Sequence, residues 1–145
     1  GAGLIDLGGR YEEITIDGQS MILAGNELPW FTPAADMRSC PEANGQERPV
    51  RVLLSHAPDQ IDWARAAGFD LMLAGHTHGG QVAMPFYGAL VTFSKFGKKY
   101  ESGLYRVDKT DLYVNRGVGM EGGRAPRVRF FARPEIAIFD IGTKK

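Results

Sequence analysis

Three residues of this sequence have the chemistry and the placement to hold a metal ion: His56, His76 and His78, its only histidines. His56 follows the apolar run VRVLLS directly, His76 follows DLMLAG, and His78 lies two positions further on. Neutral imidazole is the usual nitrogen ligand of zinc, manganese and iron. A lone histidine is more often a hydrogen-bonded polar residue than a ligand. Three of them at the ends of two neighbouring apolar runs, with none elsewhere, point to a metal or catalytic site. In an extended loop, residues two apart project to the same side, so His76 and His78 can face one ligand. Spacing alone does not name a reaction.

The elements that must position these side chains can be read from pattern. Val50 to Ser55 and Asp70 to Ala74 are short, largely apolar runs of the kind that form buried strands. Between them Pro58 suits a first helical turn, Ile61, Ala64 and Ala67 recur at helical spacing, and Gly68 suits a helix end. Strand, helix and strand within 25 residues make a βαβ unit, so the two strands are expected to run parallel. Their C-terminal ends are where loops converge on a crevice in open α/β sheets.

Upstream, Glu13 to Ile16 and Ser20 to Ala24 flank Asp17-Gly18, a strong hairpin signal. Leu28 to Glu47 is broken by Pro29, Pro33, Pro41 and Asn44-Gly45, and reads as a loop with one helical turn near Ala34 to Arg38. Downstream, Leu104 to Val107 and Leu112 to Val114 alternate about a turn at Asp108 to Asp111. Val128 to Phe131 and Glu135 to Ile141 are expected as further strands, the last closing a sheet. The chain reads as one domain over residues 1–145.

Composition narrows the class. The 145 residues carry 17 Lys+Arg against 17 Asp+Glu, so no global positive field argues for nucleic acid. Cys40 is the only cysteine, which excludes an internal disulfide. No apolar run reaches membrane-spanning length and no signal-peptide n-region is visible. The expected location is cytoplasmic or peripheral to a membrane rather than secreted. Lys95, Lys98 and Lys99 interleave with Phe93, Phe96 and Tyr100. Such a mixture can suit nucleic acid or a lipid headgroup, but reads first as a solvated loop with its aromatics tucked under. Met84-Pro85-Phe86-Tyr87 is a candidate apolar rim, and Trp30 and Phe31 are candidates for the core or, where a partner half is missing, for exposure. Gly117 to Gly122 matches GxGxxG, yet Gly123-Arg124-Ala125-Pro126 is hostile to the helix that a dinucleotide site needs.

Ser55-His56-Ala57-Pro58-Asp59 and Gly75-His76-Thr77-His78-Gly79-Gly80-Gln81 together resemble the last two motifs of the calcineurin-like metallophosphoesterases. Asn115-Arg116-Gly117, Arg129-Phe130-Phe131 and Pro134-Glu135-Ile136 look like the tail of a bacterial subgroup with phosphodiesterase and lipid-linked pyrophosphatase members. The resemblance runs from about Ile14 to Ile141. It implies an α/β fold, the C-terminal half of a two-sheet sandwich with flanking helices. It implies a pair of divalent ions (Mn, Zn or Fe), His56 and His76 on one and His78 on the other, acting on a phosphate-ester or lipid-linked substrate. It also implies Asp59 as an organiser of the turn or second shell after His56, where the plain alternative is a helix N-terminal residue, and Arg116 as a phosphate contact.

The family's first-half motifs, an Asp-x-His, a Gly-Asp and an Asn-His pair, have no match here. Asp6 lacks a histidine two residues later, and Glu27 stands where Asn26 would be followed by histidine. Three neutral imidazoles offset none of the charge of two divalent ions. The chain is therefore expected to be a C-terminal portion that binds metal weakly and is inactive alone, its open face covered by a missing N-terminal half or by self-association. The alternative is a stand-alone metal-binding or interaction module using the histidines structurally.

Overall fold

The computed structural model describes residues 3–28, 30, 33–41, 48–122 and 127–142. Its centre is a six-stranded mixed sheet in the order β1-β2-β3-β4-β8-β7, beside a two-stranded ribbon β5-β6. The strands are β1 Tyr11–Ile16, β2 Gln19–Asn26, β3 Val50–Ser55, β4 Leu71–Ala74, β5 Ala83–Met84, β6 Gly88–Ala89, β7 Gly103–Val107 and β8 Thr110–Val114. The expected hairpin forms: β1 pairs antiparallel with β2, and Asp17 (φ 49) and Gly18 (φ 76) take the left-handed pair that a two-residue hairpin turn requires. The βαβ unit forms as well. Pro58–Gln60 make a 3-10 turn running into α1, Ile61–Ala66, and β3 and β4 are parallel neighbours.

Two pairings lie beyond the sequence pattern. β2 joins β3 in parallel and β8 joins β4 in parallel. Four strands therefore end at one edge of the sheet, at Asn26, Ser55, Ala74 and Val114.

One face of the sheet is closed. Ala24, Leu53, Met72, Ala74, Leu112 and Val114 pack with Ile61 and Ala64 of α1, with Phe69 and with Tyr100. The opposite face is different. Leu54, 40% exposed, and the half-buried Leu23, Leu71 and Leu73 leave apolar side chains partly open to water. At the N-terminal ends of β3 and β4, the Asp70 carboxylate accepts from the Arg48 guanidinium and from the Arg51 amide, which tethers the strand starts to each other.

Several expectations are corrected. Glu135 to Ile141 forms no strand: Ile136 and Ile138 are 84% and 93% exposed. Alternation supplies a strand's two faces but not a partner edge. Val128 to Phe131 contributes only isolated bridges from Phe130 and Phe131 to Val82. The helical turn near Ala34 to Arg38 is replaced by an Asx turn, in which Asp36 Oδ1 accepts from the Arg38 amide; a short acidic side chain competes with helix bonding in this way. Of the two places expected for Trp30, core or exposed, it takes the second, 52% exposed. Phe31, Asn44-Gly45 and the stretch from Gly123 to Pro126 lie outside the described residues.

Candidate metal centre

The three histidines leave the sheet at the shared C-terminal edge. His56 directly follows β3 at Ser55, and the turn after Ala74 of β4 carries His76 and His78. Two backbone bonds lock these loops to their neighbours: Gly75 N donates to His56 O and Asn115 N to Ala74 O. The segment from His76 to Gln81 is not the extended loop expected from its spacing. Thr77 N donates to Gly75 O and Gly80 N to Thr77 O, so the chain doubles back sharply. His76 (φ 70), His78 (φ 50) and Gln81 (φ 51) all sit in the left-handed region. For residues other than glycine this costs on the order of 1–3 kcal/mol each, and such strain clusters at functional sites.

The surroundings hold the strained turn in place. Thr77 is buried and its Oγ1 donates to Glu101 O. Gly80 has no room for a side chain: a Cβ there would stand 2.4 Å from Ala89 Cβ. The turn is thereby pressed against the β5-β6 ribbon.

His56 Nε2 and His76 Nδ1 lie 3.0 Å apart, with ring centroids at 4.8 Å. Two imidazole nitrogens bound tetrahedrally to one cation at about 2.0–2.1 Å would stand about 3.3 Å apart, so this pair is close to the spacing of two ligands on one ion. Trp30 packs over both rings, at 4.4 Å from His56 and 5.0 Å from His76. Burial, and after it the neighbouring His76, holds His56 below the ordinary imidazole range. That favours the neutral form, which is the ligating form.

His78 is engaged differently. Its Nδ1 is 3.2 Å from the Arg129 guanidinium and its Nε2 is 3.6 Å from Glu121 Oε1. Arg129 has only donors, so His78 Nδ1 must accept and Nε2 carries the proton. Ligation by either nitrogen requires this arrangement to change. Arg129 also donates to the carbonyls of His78, Arg116, Gly117 and Ala132, fastening the glycine loop and the tail to the histidine turn. It lies 51 residues from His78, so no local spacing in the sequence links the two.

Of the other candidates, Asp59 does not touch His56; its carboxylate accepts from Ser94 Oγ at 2.5 Å and from the Lys95 amide. Arg116 is ion-paired with Glu135 at 2.6 Å. Asn26, fully buried at the end of β2, accepts from the Leu28 amide and turns the chain there. Gln81 contacts the backbone of Glu121 through its side chain. A cleft of about 980 Å³ is lined by His56, His76, His78 and Trp30 on one side and by Leu90, Val91 and Phe93 on the other. Among the described residues, no three His, Cys, Asp or Glu side chains converge closely enough to hold a metal ion. The donor set fits one side of a metal centre and does not complete it.

Relatives of known sequence put this edge in context. The chain is 44% identical over 95 residues to the uncharacterized metallophosphoesterase YkuE of Bacillus subtilis, matching 66% of this chain and 32% of the relative. It is 36% identical over 91 residues to the phosphodiesterase YaeI of Escherichia coli, matching 63% and 32%. It is 36% identical over 94 residues to the UDP-2,3-diacylglucosamine pyrophosphatase LpxG of Chlamydia muridarum, matching 60% and 27%. The matched region thus spans about a third of the length of these curated relatives. No family model matches the chain, and no solved structure does either.

Proposed function

This chain belongs to the calcineurin-like metallophosphoesterase family, and from that premise we propose that it supplies the histidine side of a dinuclear centre hydrolysing phosphate esters. The observation that carries the reading is the His56–His76 pair, its nitrogens 3.0 Å apart at the mouth of the cleft. These two would hold one divalent ion (Mn, Zn or Fe) and His78 the other, once released from Arg129. Two such ions supply charge neutralisation of the phosphate and a low-pKa water. Arg116 is a candidate phosphate contact, provided it exchanges Glu135 for substrate. Asp59 acts at one remove, through the Ser94–Lys95 loop that it tethers.

The relatives include a phosphodiesterase and a UDP-2,3-diacylglucosamine pyrophosphatase. The apolar wall of Leu90, Val91 and Phe93 supports a phosphate-ester substrate with an apolar part, such as a lipid-linked diphosphate. The half-open apolar sheet face at Leu23, Leu54 and Leu73 supports the reading of residues 1–145 as one domain, the C-terminal side of a two-sheet sandwich. A second layer or a second copy of the chain would then cover that face.

Among the described residues no carboxylate completes a ligand set with the His56–His76 pair, and the nearest to His78, Glu121, stands 3.6 Å away, so the isolated chain should bind metal weakly. His56→Ala or His76→Ala should weaken manganese or zinc binding at neutral pH by at least about tenfold; no metal binding by the unaltered chain would sink the metal reading. Hydrolysis of bis-p-nitrophenyl phosphate by this chain with added manganese should stay at background. Robust turnover, abolished by His76→Ala, would overturn the incomplete-site argument while supporting the phosphoesterase assignment. Among the described residues no third His, Cys, Asp or Glu completes a set with the His56–His76 pair, which also supports a second reading, a metal-dependent assembly module. It predicts metal-induced dimerisation without hydrolysis in any longer form of the protein.

A further inference from the structure

We infer that the segment from Met84 to Tyr100 is a surface that seats the protein on an anionic lipid bilayer, with the tip of the β5-β6 ribbon entering the interface. The tip is the three-residue turn Pro85-Phe86-Tyr87 between Ala83–Met84 and Gly88–Ala89. Phe86 is fully exposed and holds a left-handed backbone, φ 64. Met84 and Tyr87 beside it are 45% and 61% exposed. A bulky aromatic displayed at a strained turn, with no partner among the described residues, has no role in the core. The exposed apolar strip continues through Leu90, Val91 and Phe93 to the wall of the cleft. Contiguous patches of this kind mark contact surfaces rather than ordinary solvent-facing residues.

Charge selects the occupant. The protein is neutral overall, yet the 17 residues from Met84 to Tyr100 contain three lysines and no acidic residue. The Lys98 ammonium lies 3.3 Å from the centroid of the Tyr87 ring and Lys95 lies 4.8 Å from that of Phe96. The neighbouring carboxylates are turned inward, Glu101 onto the Ala89 amide and Asp59 onto Ser94 and the Lys95 amide. Aromatic and aliphatic side chains at a narrow tip, flanked by lysines, match a headgroup–acyl boundary carrying negative charge. A Cβ at Gly80 would stand 2.4 Å from Ala89 Cβ, so the ribbon that carries the tip packs directly against the histidine turn.

The surface does not depend on hydrolysis and is tested without it. The chain should co-sediment with vesicles containing phosphatidylglycerol, bind neutral phosphatidylcholine vesicles far less, and lose binding as salt is raised. Phe86→Ser, and separately Lys95, Lys98 and Lys99 all replaced by Gln, should each reduce partitioning at least about tenfold, with circular dichroism unchanged. Failure to bind anionic vesicles, or full binding by Phe86→Ser, overturns the proposal. A dimer in solution that Phe86→Ser dissociates also overturns it, by giving the tip to a second copy of the chain.

Discussion

His56 and His76 meet because two parallel strands end at the same height, and each loop is then pinned to its neighbour by a backbone bond. The more demanding residues are those that permit the turn carrying the histidines. At Gly80 (φ 79) a Cβ would lie 2.4 Å from Ala89 Cβ and 2.9 Å from Ala89 Cα, so both backbone conformation and space require glycine. Gly80→Ala should cost about 2–3 kcal/mol of stability, from overpacking added to strain. Gly119→Ala, with nothing within 4 Å, should change stability by less than about 0.5 kcal/mol. Urea midpoints of the two variants check the contrast; equal midpoints would mean that the ribbon yields and that the turn is not pressed against it.

At the scale of elements, the parallel pair β3-β4 is fastened at the end remote from the histidines. Burial alone would raise the Asp70 pKa, but the Arg48 guanidinium and the Arg51 amide outweigh it and hold the carboxyl below its usual range. A folded pKa below the unfolded one contributes stability above the unfolded value, near pH 4, and loses it as pH falls through the folded value. Asp70→Asn should therefore destabilise at neutral pH by about 1–3 kcal/mol and flatten the acid limb of the stability profile. Urea unfolding between pH 5 and pH 2.5 checks this; parallel profiles for the two proteins would show that other carboxylates dominate. The hairpin β1-β2 and the βαβ unit need no such tether to be recognised in the sequence, since their turn residues and helical spacing are local.

At the scale of the molecule, one sheet face is sealed and the other is not. The tail leaves β8, places Phe139 against Tyr113 with ring centroids 4.9 Å apart and bonds Glu135 N to Gly117 O, then continues without a ladder. Amides from Ile136 to Ile141 should exchange with deuterium close to unprotected rates, while those of β3, β4 and β8 should be protected by orders of magnitude. Protection in the tail equal to that in β8 would mean that it pairs with an edge in solution, as the alternating sequence EIAIFDI suggests.

By itself the sequence determined the local units: the Asp17-Gly18 hairpin, the βαβ unit, the β7-β8 hairpin, and the placing of three histidines after two buried strands. Each follows from turn chemistry or periodicity within a few residues. Lys95 to Tyr100 is a mixed case. Tyr100 is buried and Phe96 partly so, as a tucked loop requires, but Phe93 and the Phe86 tip stand out in solvent. Tertiary structure alone decided that β2 and β8 flank the βαβ unit in parallel, that Arg129 grips His78, and that Trp30 lies on His56 and His76 rather than in the core. It also left Glu135 to Ile141 outside any strand. These outcomes depend on which edge a strand finds and which side chain a fold brings within hydrogen-bond reach. Neither is encoded in any window of sequence short enough to show a period.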